Sequence, residues 1–377
     1  MLLGNYGPDR QESMTRFREV LSTHLLEHHY RVETLAPPVR IRHLASGRQE
    51  GAAKWLGYVD KYILFRRELR QLRKRLRTDR AAVVHICDHS NAIYVPQLED
   101  CALVVTCHDL LAVRGALGED TSCVASPTGR LLQKRILEGL QRAPLVACVS
   151  YFTATDLRRL LPEKPGSEMA VVPNGLNFPY RALTGDESAR RLSRNVSWAW
   201  NSPFILHVGS NLPRKNKATL VKAWARLSPN DGGQLVFVGP SLTNELSDLA
   251  RDLGVRDRVV VVEKPDNLLL EALYTRAKAF VFPSLSEGFG WPVIEAQACG
   301  CPVICSNTTS LPEVAGGGAK LVHPFDVDAI AEALSALSNE EQRMEWRAKG
   351  FENAARYSTQ RMISGYLELY QRALNSR

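Results

Sequence analysis

Short, almost wholly apolar runs recur along the chain, each followed by a turn and then by residues at helical spacing. This alternation narrows the fold more than any other feature. AAVVHICDH (81–89), ALVVTCHDLL (102–111), APLVACVS (143–150) and MAVVPNGLN (169–177) lie in the first half. PFILHVGS (203–210), QLVFVGP (234–240), RVVVVEKP (258–265), AFVFPS (279–284) and PVICSN (302–307) lie in the second. Strands without polar alternation must be covered on both faces, the condition of a parallel sheet flanked by helices. The class is therefore α/β, with helices expected over 11–28, 129–141 and 153–161 and a strand over RVETLAPP (31–38). Residues 1–3 make a clipped first strand, and the stretch from 39 to Trp55 reads as irregular.

A chain of 377 residues suits two domains of about 150 residues each. Segment 178–203, rich in Arg, Ser, Asn and Pro, reads as the linker, so the expected domains are 1–190 and 191–355. The helical tail 356–377 is expected to cross back onto the first domain. Two such halves would face each other across a cleft, with ligands outside the carboxyl ends of their strands. No G-x-G-x-x-G follows the first strand and no G-x-x-x-x-G-K-[ST] occurs, which argues against dinucleotide redox chemistry and P-loop hydrolysis.

No apolar run is long enough to span a membrane and no secretory leader pattern is present, so a cytoplasmic protein is expected. The eight cysteines form no C-x-x-C pair and lie mostly in apolar runs. They read as buried, reduced thiols, with Cys299 and Cys301 serving packing. A net charge of +8 favours an acidic partner. Much of the excess lies in FRRELRQLRKRLRTDR (65–80), where Leu69, Leu72 and Leu76 recur at helical spacing. Two readings stay open for this basic segment between Arg66 and Arg80: a solvated face held down by its leucines, or peripheral contact with an anionic membrane surface. Nucleic acid is not an expected partner, since only Phe65 is nearby for base stacking.

The chemistry centres on PSLSEGFGWPVIEAQACGCPVICSNTTSLPE (283–313). A buried strand ends at Pro283, Glu287 enters a Gly-Phe-Gly turn, and a helix begins with Pro292 at its first position. Glu295 sits one turn inside. The free N–H groups of such a helix start make an anion site. Arg214 and Lys215 in LPRKN add two cations, and together these elements form a diphosphate pocket. In the first half His85, Asp88, His89, His108 and Asp109 are expected at strand ends. Taken singly, each has an ordinary structural explanation, as a capped helix, a solvated loop or a hydrogen-bonded histidine.

The run SEGFGWPVIEAQACGCPVI resembles the E-x7-E motif of the retaining glycosyltransferases of family 4, the group 1 family, which have the GT-B fold. The similarity extends across HVGSNLPRKN, VVPNGLN, ALYTRAKAFVFPS, TSLPEV, HPFD and VVTCHDLLAV. It implies two facing Rossmann-like domains, the first binding an acceptor and the second a nucleotide sugar. Glu295 would bind the ribose hydroxyls, and Glu287 would sit beside the transferred sugar. Arg214 and Lys215 would hold the diphosphate with backbone N–H groups of Gly288, Phe289 and Gly290. His108 would contact the sugar ring, Glu263 and Lys264 would lie near the base, and the loop from Gly4 to Gly7 near the phosphates.

The implied activity is metal-independent, retaining transfer of a hexosyl unit from a nucleotide-diphosphate sugar to a saccharide or lipid-linked saccharide. It belongs to bacterial-type polysaccharide or glycolipid assembly, at the inner membrane face if the basic segment binds there. No cofactor is implied, the nucleotide sugar being a co-substrate. The chain departs from the family pattern at Gly209-Ser210, where Gly-Arg is usual, and at Trp291, where a smaller aliphatic residue is common. Two other readings fit the same residues: a non-catalytic nucleotide-sugar-binding protein, and a retaining glycoside hydrolase using Glu287 and Glu295 as acid and nucleophile.

Overall fold

The computed structural model describes residues 1–42 and 50–376. The chain divides into two compact units, one of Met1–Pro173 with Gln360–Arg377, the other of Asn174–Thr359. The division falls at 173/174, upstream of the expected 190/191. The supposed linker is folded: Gly185–Asn195 is a helix with a Thr184/Glu187 capping box, and its Leu192 is fully buried.

The first unit contains strands β1 (Leu2–Leu3), β2 (Thr34–Leu35), β3 (Val83–Ile86), β4 (Ala102–Cys107), β5 (Leu145–Cys148) and β6 (Met169–Val171). They form a parallel sheet in the order β2-β1-β3-β4-β5-β6. Helices α1 (Glu12–Glu27), α2 (Glu50–Val59), α3 (Phe65–Thr78), α4 (Leu111–Ala116), α5 (Pro127–Arg142) and α6 (Tyr151–Leu160) flank it. The stretch expected to be irregular up to Trp55 thus contains a helix from Glu50 onward, while residues 43–49 of that stretch lie outside the described residues. A π-helical turn at Asp60–Leu64 joins α2 to α3.

The second unit is built the same way. Its strands are β7 (Phe204–Val208), β8 (Gln234–Val238), β9 (Val259–Val262), β10 (Ala279–Phe282), β11 (Val303–Ser306) and β12 (Ala319–Val322). Their order is β12-β11-β10-β7-β8-β9, all parallel. Helices α7 (Gly185–Asn195), α8 (Lys217–Trp224), α9 (Pro229–Gly232), α10 (Asn244–Asp252), α11 (Asn267–Arg276), α12 (Trp291–Ala298), α13 (Leu311–Ala315), α14 (Val327–Ala336) and α15 (Glu340–Ala354) surround it. Every residue of β4, β5, β10 and β11 is buried, as strands covered on both faces require. The strand order reverses between β1 and β3 in one unit and between β7 and β10 in the other. These switch points are where an open α/β sheet leaves a crevice for ligand.

Helix α16 (Thr359–Asn375) belongs to the first unit from Gln360 on, with Met362, Ile363, Tyr366, Leu369 and Ala373 buried at helical spacing. A polar chain fastens it. Tyr370 hydroxyl lies 2.7 Å from His85 Nδ1, His85 Nε2 lies 2.7 Å from Thr106 Oγ1, and Thr106 Oγ1 lies 2.9 Å from the Tyr366 hydroxyl. His85 is therefore inside β3 and structural, not one of the strand-end residues expected from sequence. The eight cysteines are free thiols, and all but Cys123 are buried.

Burial pushes the His85 imidazole down to about 3, and His207 in the second unit behaves alike for the same reason. The native state thus favours the neutral rings. Their contribution to stability is complete above the unfolded value near 6.5 and is lost as pH falls from there toward about 3. Each should add up to about 1.4 kcal/mol per pH unit to the slope of stability across that window. Urea unfolding between pH 7 and 4.5 should show this decline, and H85Q should show a shallower one; parallel pH profiles would refute the assignment.

Candidate active site

In the second unit the turns after β7 and β10 meet at the switch point. The chain leaves β7 through Gly209 and runs to a short 3-10 turn, Pro213–Lys215, which Asn216 ends in the left-handed region at φ 53°. Asn216 Nδ2 then donates to Pro283 O at 3.1 Å and Pro324 O at 2.6 Å, tying the turn to the end of β10. Leu285 N donates to Arg214 O at 2.8 Å, and Arg214 Nη1 donates to Ser286 O at 3.0 Å.

This clamps Arg214 and Lys215 against Glu287. Lys215 Nζ stands 2.6 Å from Glu287 Oε1 and Arg214 Nη1 2.8 Å from Oε2. Burial alone would push the Glu287 carboxyl up; Lys215 and Arg214 outweigh it and hold the group below its ordinary value. The Lys215 ammonium also lies 4.8 Å from the Phe282 ring centroid. The backbone of the Gly-rich turn is fixed from the far side. Thr309, at φ 56°, accepts from Glu287 N at 3.1 Å, and Ser310 Oγ donates to Glu287 O and Phe289 O, both at 2.9 Å.

Gly290 caps α12 at φ 102°, and a Cβ there would stand 2.6 Å from Leu311 Cδ2, so only glycine fits. Trp291 takes the first helical position and Pro292 the second, one later than expected. The indole of Trp291 donates to Gly175 O at 2.9 Å. Glu295 is buried on α12 with each oxygen already engaged: Asn177 Nδ2 donates to Oε1 at 2.7 Å and the Tyr274 hydroxyl to Oε2 at 3.1 Å.

Glu263 and Lys264 follow β9 on the outer rim, both exposed, with Lys264 at φ 46°. They do not touch Glu287. Glu263 accepts a hydrogen bond from Ser241 Oγ, whose carbonyl accepts from Asn211 Nδ2 at 2.6 Å. Asn211 Oδ1 in turn accepts from Lys217 Nζ at 2.7 Å. Five residues of this site escaped the sequence reading: Asn177 and Tyr274 on Glu295, Thr309 on the turn, and Asn211 with Lys217. Asn177, Tyr274, Thr309 and Asn211 stand in segments that carry the family resemblance, VVPNGLN, ALYTRAKAFVFPS, TSLPEV and HVGSNLPRKN, and Lys217 is the second lysine of RKNK.

The first unit carries the remaining candidates. His108 follows β4 and is buried; its Nε2 donates to Cys87 O at 2.9 Å, which leaves Nδ1 as an acceptor. Burial pushes its pKa down, so the ring is neutral near pH 7. Phe17 packs edge-on at 4.8 Å between centroids. Asp88, after β3, accepts from Ser90 N at 2.9 Å, from Ser90 Oγ at 2.8 Å and from Asn5. Gly4 is a close approach, since an added Cβ would lie 2.4 Å from Arg18 Nη1, whereas a Cβ on Gly7 would meet nothing within 4 Å among the described residues. Among the described residues no cluster of three or more His, Cys, Asp or Glu has the form of a metal site.

Residues 190–353 match the model of the glycosyl transferases group 1, and residues 15–178 that of glycosyltransferase family 4. The chain is 31% identical over 248 residues to the O-antigen chain mannosyltransferase B of Escherichia coli, covering 64% of each chain. It is 31% identical over 287 residues to a D-inositol 3-phosphate glycosyltransferase of Nocardia farcinica, covering 72% of this chain and 61% of the relative. These matches thus span somewhat less than two thirds of the relatives' own length. Among solved structures, Anabaena HepE in complex with UDP and glucose superposes with a TM-score of 0.70 at 16% identity, over 97% of both chains. With two parallel α/β units and both family models matched in order along it, the chain belongs to the group 1, family 4 glycosyltransferases and has their GT-B fold.

Proposed function

We propose that this protein is a retaining glycosyltransferase that moves a hexosyl unit from a nucleotide-diphosphate sugar to a hydroxyl of a saccharide or lipid-linked saccharide. Bacterial-type polysaccharide or glycolipid assembly is its proposed setting. The observation that carries the reading is the buried contact of Arg214 and Lys215 with Glu287 at the β7/β10 switch point. The names of the relatives, a mannosyltransferase of O-antigen chains and an inositol phosphate glycosyltransferase, support the class of reaction.

Cleaving a sugar–phosphate bond builds positive charge on the anomeric carbon and negative charge on the departing diphosphate. Cations fixed beforehand in a dry site lower that barrier without reorganising. Arg214 and Lys215 supply such charge, with N–H groups of Gly288, Phe289 and Gly290 at the start of α12 as further donors. Glu295, oriented by Asn177 and Tyr274, is assigned to the two ribose hydroxyls, and Glu263 and Lys264 to the side of the base. His108, neutral with Nδ1 accepting, is assigned to a sugar hydroxyl, and the Gly4 to Gly7 loop to the phosphates. Retention follows a front-face course: the sugar–phosphate bond breaks, the acceptor oxygen bonds to the same face, and its proton passes to the leaving diphosphate oxygen.

The hydrolase alternative needs one carboxyl kept protonated as general acid. Glu287 is held in the opposite direction by two cations. A non-catalytic sugar-nucleotide binder would not need Glu287 for anything beyond binding, and this difference is testable. E287A should cut transfer by more than tenfold while a nucleoside diphosphate still raises the melting temperature. Turnover at the wild-type rate would sink the assignment. K215A should instead weaken nucleoside-diphosphate affinity by roughly tenfold or more, the worth of a charge-assisted bond. Because the cations serve the leaving group, EDTA should leave turnover unchanged, and loss restored by a divalent ion would count against this mechanism.

For the basic helix α3 the structure narrows the choice. Leu69 and Leu76 are buried in the first unit's core, and Arg73 and Arg77 pair with Asp100. Arg67, Arg70 and Lys74 are exposed without ion pairs among the described residues, and Trp55 and Ile63 are exposed toward the start of the same helical stretch. Any membrane contact is therefore electrostatic, aided by these two apolar side chains. Replacing Arg67, Arg70 and Lys74 by Gln should reduce sedimentation with anionic liposomes at low salt; equal sedimentation would leave only the solvated face.

A further inference from the structure

Lys217, the first residue of α8, is an anomaly in the second unit. It is only 6% exposed, yet no carboxylate pairs with it among the described residues. Its ammonium donates to the neutral Asn211 Oδ1 and stands 5.2 Å from the Phe237 ring centroid. A buried charge satisfied by one amide and one ring is costly in the free protein. The cost points to a counter-charge that arrives with a ligand.

The surroundings say where that ligand sits. His207 on β7 lies between Phe237 of β8 and Phe282 of β10, with ring centroids 5.6 and 5.9 Å away. Lys217 stands over Phe237 and Lys215 over Phe282, so two ammonium groups flank one aromatic row at the carboxyl ends of three adjacent strands. His207 cannot supply negative charge; its Nδ1 donates to Val281 O at 2.9 Å, and its buried Nε2 has no partner among the described residues. The other charged groups nearby are Arg214 and Lys215 on the same turn, Glu287 opposite them, and Glu263 beyond Ser241. On the helices packed against α8, Asp326 caps its own helix at Ala329 N, Asp328 pairs with Arg226, and Asp248 pairs with Arg251. Around Glu287 the turn thus carries three cations, Arg214, Lys215 and Lys217, against one carboxylate, an excess matching the two charges of a sugar diphosphate.

We propose that Lys217 is a further cation of the donor site, held by Asn211 and completed electrostatically only when the donor's diphosphate binds. This rests on the donor reading given above and deepens it. In the free protein, burial and the neighbouring Lys215 push the Lys217 ammonium down to about 8. A bound diphosphate favours the protonated form, so binding and protonation are linked. Near pH 8 a substantial fraction of a proton is taken up per diphosphate bound, and affinity declines as pH rises above 8. The same hydrogen-bond chain, Lys217 to Asn211 to Ser241 to Glu263, connects this cation to the rim assigned to the base.

Calorimetric titration with UDP, GDP and ADP in buffers of differing ionisation enthalpy tests this on the intact protein. With whichever of them binds, wild type should take up about half a proton at pH 8, where the nucleotide's own terminal phosphate is already fully ionised. K217M should abolish the uptake and weaken binding about fivefold or more. K217R should retain most of the affinity without uptake, since a guanidinium stays charged. Free K217M should melt no lower than wild type, because an unpaired buried charge is replaced by an apolar chain of similar length. Binding with no uptake in wild type, or uptake that persists in K217M, overturns this inference alone. If none of the three nucleotides binds, the donor reading falls and the inference falls with it.

Discussion

The second unit is organised by one buried carboxylate. Taking Glu287 out of water costs several kcal/mol, and the cost is offset only if cations meet it at close range in fixed geometry. Arg214 and Lys215 do so, one on each oxygen. That requirement explains local features that otherwise look unrelated. Asn216, in the turn after β7, and Thr309, in the loop after β11, adopt left-handed conformations. Ser310 and Asn216 spend their side chains on backbone carbonyls of the opposite loop. The parallel sheet with its reversal between β7 and β10 brings the two loops to one point.

Such a contact also prepares the chemistry. The desolvation of Arg214 and Lys215 is met in the free protein by Glu287, so a diphosphate finds cations already positioned. On the proposed donor reading Glu287 would stand beside the transferred sugar, where a carboxylate stabilises positive charge developing on the anomeric carbon. On that reading a single residue both organises the turn and favours the transition state, and its carboxyl is held below its ordinary value by Lys215 and Arg214.

Much of this was legible in the chain. Apolar runs without alternation gave the parallel sheets, because strands buried on both faces leave no choice of residue, and the Glu287 turn could be seen because Gly, Pro and Glu have distinct roles at a helix start. What stayed hidden depends on distance along the chain. His85 looks like a strand-end candidate until Tyr366 and Tyr370, about 280 residues later, are seen to occupy its surroundings. Asn177 and Tyr274 meet Glu295 only after folding. Segment 178–203 misled because its arginines and serines suggest solvent, although Leu192 and the Thr184 capping box make it an ordinary surface helix.

Lys217 belongs with these, but its meaning comes from contrast. Lys215 and Lys217 are two residues apart, similarly buried, and each lies over a phenylalanine. One has a carboxylate and the other has an amide. If the cluster served stability alone, a second carboxylate or an apolar residue in place of Lys217 would be the cheaper solution, since an unmatched buried charge is a net cost. A site that must bind a doubly charged group reversibly needs the opposite arrangement. Some positive charge must be neutralised beforehand to keep the fold intact, and some must be left for the ligand to neutralise. The division of labour between the paired and the unpaired lysine gives both within one turn of chain.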